Sequence, residues 1–405
     1  MKSFLFFIFY FLLFSGLGFS GSVYKLNPNA RIITLDMKMV CNGDKCVMPF
    51  SKDFDLKEGD ILVSTVGEGY IKKIGSVKKN KYEYEILTEP ATIEEAFESL
   101  KFDFRNELNP KDVVKFTKEV EGVEILNSKA EAKEFSIKLN DVVIHDFDNN
   151  PKTTDDRIVL NGVLNFDSYM DLDMEVENSE LKAFSFKNRL VQKSDFKLNI
   201  SSHVNIPISF GKSIKLCEYK MAPVAVGPVV FTPIFSVILG ITLSAKGEVA
   251  INAGQKLDYI GGLVYSNGKW NEVSELKDKS FLGGVSFIGA KTFVKAYIGP
   301  KFLINLYDTL GPYINGFAYA KINGDLHIKP NSFLWELYGG LEANAGVNLK
   351  ILSYFQKDFN KNLIDYSVLI KSGVFEKNNK SIYDIENREI NLLSPSIINN
   401  FEKGF

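Results

Sequence analysis

The sequence predicts a mainly β protein: a small α+β N-terminal head followed by antiparallel β-sandwich or large curved-sheet domains. Three observations carry this. Residues 170–176 alternate strictly, with Met170, Leu172, Met174 and Val176 on one face and Asp171, Asp173 and Glu175 on the other. The aromatic content is 33 Phe and 17 Tyr against 2 Trp, a composition that favours strands. Turn residues, including Asn42-Gly43 and Asn267-Gly268, punctuate the apolar runs.

Lys2 precedes an unbroken apolar run over residues 4–14, then the small residues Ser15, Gly16, Gly18, Ser20, Gly21 and Ser22. The run is short for a bilayer span and suits a signal peptide at 1–20, cut after Ser20 or, at a second site, after Ser22. Export permits disulfides. Cys41 and Cys46 flank the Asn42-Gly43-Asp44-Lys45 turn, and residues 31–40 read as one strand whose return begins at Val47. A hairpin disulfide is expected there, with Cys217 left as a buried thiol. The rival, a C-x4-C metal half-site, has no second Cys/His pair to complete it.

The head is expected at 21–130. Strands at 61–66, 70–77 and 82–87 form a meander, with Gly67-Glu68-Gly69 as a hairpin turn rather than a phosphate loop. Thr92-Ile-Glu-Glu95 is a capping box, and Ile93, Ala96, Phe97 and Leu100 fall on one helical face. Asn109 and Pro110 suggest the start of a second helix, with Val113, Phe116 and Val120 inward.

These residues also carry a resemblance. Gly59-Asp60-Ile-Leu-Val, Ile74-Gly-Ser-Val77 and Thr88-Glu-Pro-Ala-Thr-Ile-Glu-Glu-Ala96 resemble a module of large exported bacterial proteins. Gly227-Pro228-Val-Val, Tyr265-Ser-Asn-Gly-Lys-Trp270 and Leu306-Tyr-Asp-Thr-Leu-Gly-Pro-Tyr313 are similar to stretches that accompany it. Over 56–320 the chain thus resembles a poorly characterised family of exported, β-rich bacterial envelope or extracellular proteins. The resemblance implies that location and class, and brings no functional residues.

An antiparallel β domain is expected at 134–220, where 196–200 and 204–210 alternate as 170–176 do. The acidic stripe Asp171, Asp173, Glu175 reads as a solvated face, with a cation or a basic partner as the alternative. Residues 221–245 are apolar enough to raise a transmembrane helix. Pro223, Pro228 and Pro233 oppose one at ~3 kcal/mol each, and two covered strands fit better. An aromatic- and Gly-rich β domain fills 221–371, in which Gly-Pro at 227–228, 299–300 and 311–312 suggests repeated strand starts. Residues 372–405 read as a loosely ordered tail.

Charge and motif exclude more than they assign. Lys+Arg number 48 against 50 Asp+Glu, which removes a global electrostatic case for nucleic acid. His145, His203 and His327 share no ligand spacing, there is no Gly-x-Ser-x-Gly elbow, and no catalytic residues are assigned. The one local constellation is residues 145–156. Asp146, Asp148 and Asn150 match the first three alternate ligands of a calcium loop, but Pro151 replaces the expected Gly and the twelfth-position Glu is absent. A polar linker between the first two domains explains the same residues by turn chemistry.

The expectation is an exported, non-enzymatic protein, secreted or in the cell envelope, that binds an extracellular or envelope ligand or serves a structural role, without a cofactor unless calcium. Its rivals are a membrane-active β protein (a barrel or pore former built from 221–371) and an extracellular hydrolase.

Overall fold

Strict alternation has one low-energy outcome: a strand buried on one face, paired on both edges. The computed structural model follows this rule almost throughout. It describes residues 20–49, 55–126, 134–201, 208–245, 249–287, 292–307, 309–329, 332–347, 359–376 and 383–385. The apolar run expected to be a signal peptide, up to residue 19, and the expected tail beyond 385 lie outside the described residues.

In chain order, β1 (Ser20–Leu26) leads into a small sheet of β2 (Ala30–Ile33), β3 (Val40–Asn42), β4 (Lys45–Pro49), β5 (Ile61–Ser64), β6 (Tyr70–Lys79) and β7 (Glu83–Pro90). After α1 (Ile93–Ala96) come β8 (Phe97–Leu108), β9 (Val113–Lys118), β10 (Val123–Ile125), β11 (Phe135–Asp146), β12 (Arg157–Glu177) and β13 (Glu180–Ile200). The remainder is β14 (Ile208–Met221), β15 (Val224–Val226), β16 (Val229–Ala245), β17 (Val249–Ser266), β18 (Lys269–Phe287), β19 (Thr292–Leu306), β20 (Thr309–Lys329), β21 (Ser332–Val347), β22 (Phe359–Glu376) and β23 (Tyr383–Ile385).

Two large antiparallel sheets result. The first runs β1-β8-β12-β13-β17-β18, with β11 and β10 continuing beside the half of β12 that β8 leaves free. The second runs β23-β22-β21-β20-β19-β16-β14-β9, with β15 beside the start of β16. Their inner faces share one core: Phe186 meets Phe302 (5.7 Å), Phe166 meets Phe235 (5.5 Å) and Phe104 meets Phe231 (5.0 Å). This is a sandwich of long strands. The 21 residues of β12 run about 70 Å at ~3.3 Å per residue.

The head sheet, β2-β5-β6-β7-β4-β3, has its own small core around Leu62, Ile74, Tyr84 and Ile86. It docks on the sandwich through one face, where Ala30, Ile61, Val63 and Ile71 join the sandwich core, and through the Gly67–Tyr70 turn. A Cβ on Gly69 would lie 2.9 Å from Val230 Cβ and 3.1 Å from the Tyr307 ring, and Glu68 pairs with Lys220.

Several expectations are corrected. The boundaries near 130 and 220 divide no core, because strands from 134–220 and 221–371 are shared between both sheets and β8 and β9 of the supposed head belong to the sandwich. The predicted helix at 92 is a single turn. Its capping box forms, Thr92 Oγ1 accepting from Glu95 N–H (3.3 Å) and the Glu95 carboxylate from Thr92 N–H (2.9 Å). From Leu100, however, Phe102 and Phe104 continue with period two, and pairing with β12 wins over helix propensity. Asn109-Pro110 opens a 3-10 turn, after which 113–118 is strand β9.

The strand expected at 31–40 is broken by a 3-10 turn at Leu35–Met37. Pro300 and Pro312 sit inside β19 and β20 rather than at strand starts, each at a position one neighbouring strand leaves unbridged. Strand β22 also runs on to Glu376 and is joined by β23, so part of the expected tail is sheet.

Other turns form as read. Asn267 and Gly268 both take positive φ (52° and 76°), the backbone a two-residue hairpin needs, and bring Tyr265 opposite Trp270.

Candidate metal centre and the disulfide hairpin

Residues 147–156 are the connection of the β11–β12 hairpin, not a linker between domains. Asp146 ends β11 directly opposite Arg157, which begins β12. Arg157 Nε donates to Asp146 Oδ2 (3.1 Å) and Nη2 to the Asn150 carbonyl (3.1 Å). Asp148 Oδ1 accepts from Asn150 N–H (2.7 Å) and Oδ2 from Thr153 Oγ1 (2.9 Å). Asp156 Oδ2 accepts from Asp148 N–H (2.9 Å), and Asn150 Oδ1 from Lys152 N–H (3.2 Å).

This geometry brings together an acidic cluster able to hold a metal, but not the one read from the sequence. One carboxylate oxygen each from Asp146, Asp148 and Asp156 lies within 4.8 Å of the others. Asn150, its amide oxygen engaged in the turn, is replaced by Asp156. A linear loop template could not find Asp156, because the hairpin folds it back beside Asp148. Backbone donation from Asn150, with Thr153 and the neighbouring carboxyls assisting, holds the Asp148 carboxyl below its ordinary range. Asp146 Oδ1 and Asp156 Oδ1 are buried without a hydrogen-bond partner. His145 does not point to chemistry here: its ring stacks on Phe210 (4.6 Å) and meets Phe147 edge-on (4.7 Å).

Cys41 and Cys46 are cross-strand partners in β3 and β4, 4.0 Å apart at Cα, and are disulfide-bonded. Gly43 at φ 59° makes the tight reversal between them. With five residues of sequence separation, the bridge constrains little chain entropy and pins the hairpin locally. Cys217 is a buried free thiol, pushed up to about 12 by burial, which makes it a packing residue and not a nucleophile.

The acidic stripe on β12 is matched by bases on its neighbours. Arg105 Nε reaches Asp171 (3.3 Å) and Nη2 reaches Asp173 (3.5 Å), Lys187 reaches Asp171 (3.6 Å) and Lys101 reaches Glu175 (3.3 Å). Burial, reinforced by Asp171 beside it, pushes the Asp173 carboxyl up to about 6. Arg189–Asp258 (2.6 Å) and Lys256–Asp278 (2.7 Å) continue the pattern across β13, β17 and β18. The outward face of the first sheet is therefore a ladder of paired charges.

Compared with protein-family models, with curated proteins and with solved structures, the chain matches none. Its chemistry rests on its own residues.

Proposed function

We propose that the chain is an exported β-sandwich protein with a binding or structural role in the cell envelope or outside the cell, as the apolar run at 4–14 and the resemblance over 56–320 suggest. The observation that carries the choice over a membrane barrel is the direction of polarity. A spanning barrel turns an apolar band to lipid and can leave its interior wet. Here Phe104, Phe166, Phe186, Phe231, Phe235 and Phe302 fill the interior, and the first sheet turns its charge ladder outward.

The strands of 221–371 do not close on one another either: β17 and β18 lie in the first sheet, β16 and β19 to β22 in the second, and no ladder joins the two sheets among the described residues. No helix among the described residues is long and apolar enough to cross a membrane. In fractionated cells the mature protein, beginning at Gly21 or Val23, is expected outside the cytoplasm and released by carbonate. Membranes that keep it until detergent is added would overturn the reading.

A second reading, calcium at the β11–β12 connection, is favoured by the two partnerless oxygens of Asp146 and Asp156. Their number decides against strong binding. Calcium takes 6–8 oxygens, and the other carboxylate oxygens of the cluster already serve Arg157, Thr153 and two backbone N–H groups. The melting midpoint is expected to be the same in EGTA as in millimolar calcium. A calcium-dependent rise abolished by Asp156→Asn would instead assign the ion to this loop.

A further inference from the structure

One carboxylate in the charge ladder of the first sheet is left over. Asp103 lies on β8 between Phe102 and Phe104, both buried, so its own side chain faces outward. Lys101 and Arg105 flank it along the strand, but both reach across to β12, Lys101 to Glu175 (3.3 Å) and Arg105 to Asp171 and Asp173 (3.3 and 3.5 Å). Lys187 of β13 also turns to Asp171 (3.6 Å). Asp103 has no hydrogen bond or ion pair among the described residues. Four carboxylates (Asp103, Asp171, Asp173, Glu175) therefore face three bases (Lys101, Arg105, Lys187), with one negative charge in surplus.

On its other side β8 pairs with β1, and the residue directly opposite Asp103 is Gly21. A Cβ on Gly21 would lie 3.7 Å from Asp103 Oδ1. Gly21 is also one of the two residues at which the signal-peptide reading starts the mature chain. Hydrolysis of the Ser20–Gly21 bond adds water across it, leaving a carboxylate on Ser20 and an α-ammonium on Gly21. At an ordinary pKa of ~7.7–8.0 that group is mostly protonated at neutral pH. Its nitrogen sits ~1.5 Å from the Gly21 Cα and, freed of the acyl group, can turn to the Asp103 carboxylate.

The alternative cut, after Ser22, offers no such partner. Its new terminus, Val23, stands opposite Lys101, a like charge. It would also remove Ser22, which is opposite buried Phe102 and so shares its inward face. A Cβ on Gly227, in the β15–β16 turn, would lie 2.0 Å from Ser22 Oγ, so Ser22 fills the place where the edge of the first sheet meets the second. The Ser20–Gly21 bond itself lies inside β1, opposite residues 103 and 104 of β8. A peptidase needs that backbone unpaired, so the cut precedes the docking of β1.

We propose that Asp103 is the docking site of the mature N-terminus: hydrolysis after Ser20 creates an α-ammonium on Gly21 that pairs with this carboxylate as β1 closes the edge of the first sheet. The inference rests on the exported reading above, from which the cut follows.

Protein purified from the exported fraction tests it. Its sequence should begin at Gly21. The α-amino pKa, read from the pH dependence of N-terminal acylation, should lie about half a unit or more above the ordinary ~7.7–8.0. The charged groups around the terminus are Lys25 on β1, Lys101, Asp103 and Arg105 on β8, and Asp171, Asp173 and Glu175 on β12. Lys25 is paired with Glu98 (2.6 Å), and the surplus acid favours the protonated amine. Asp103→Asn should return the value to the ordinary range, whereas Asp278→Asn on the far strand β18 should leave it raised. The proposal is overturned by a mature chain that begins at Val23, by an α-amino group in the ordinary range before any substitution, or by one that stays raised in Asp103→Asn. An exported chain that begins at Gly21 with an unshifted α-amino group sinks this inference alone. A chain that keeps Met1 in the cytoplasm sinks the exported reading, and this inference with it.

Discussion

Phe235→Ala is expected to destabilise the protein by about 3–5 kcal/mol, the range for removing a fully buried aromatic ring. Phe235 is 0% exposed and stands where the two sheets meet. Its ring stacks on Phe302 of the same sheet at 4.7 Å and touches Phe135 and Phe166 of the other at 5.0 and 5.5 Å. Truncation removes apolar area from both layers, and neighbours held in long ladders cannot collapse to fill the space. Against a typical total of ~5–15 kcal/mol, the loss should be plain in a urea titration. Leu282→Ala, at a side chain 74% exposed, should change stability by no more than about 0.5 kcal/mol. A cost for Phe235→Ala below about 1 kcal/mol would mean that the sheets do not share this core.

Gly316→Ala is expected to be comparably damaging by the opposite mechanism. A Cβ there would sit 1.2 Å from Tyr259 Oη and 2.2 Å from its Cζ. Tyr259 reaches across from the first sheet and is itself 1% exposed, so it cannot swing aside. Overpacking of this kind costs ~1–3 kcal/mol and occasionally more, and the depth of the clash places this site at the upper end. Pairing the change with Tyr259→Leu should return part of the loss, so that the double variant is more stable than the sum of the single ones by ~1 kcal/mol or more. Gly284→Ala provides the contrast, since nothing lies within 4 Å of its added methyl. There the change should be close to neutral. If Gly316→Ala and Gly284→Ala unfold at the same urea concentration, the ring-over-glycine packing is not what this structure shows.

These two variants separate two uses of an aromatic, glycine-rich composition. Phe235 adds buried area, whereas Gly316 makes room for a ring arriving from another strand. Composition alone reports both as the same enrichment, and Gly240 and Gly346 beneath Tyr297 and Tyr313 belong to the second kind.

Local features were legible because their causes are local. The 170–176 alternation, the Asn267-Gly268 hairpin, the Thr92 capping box, the head meander from 61 to 87 and the Cys41–Cys46 turn each depend on residues a few positions apart, and each forms as read. The mainly β class followed from them. Alternation names the buried side of a strand but not the strand that will lie beside it. Whether residues 97–108 continued a helix or joined β12 was settled by the ladder that β12 supplied.

For the same reason, the sequence by itself determined the mainly β class, the Gly67–Gly69 and Asn267-Gly268 turns and the hairpin disulfide, while tertiary structure alone decided the partition of 134–371 between two sheets. It also decided the third carboxylate of the acidic cluster. Cross-strand register joins residues tens of positions apart through backbone hydrogen bonds that any side chain permits. The residues it brings together therefore leave no mark at fixed spacing along the chain.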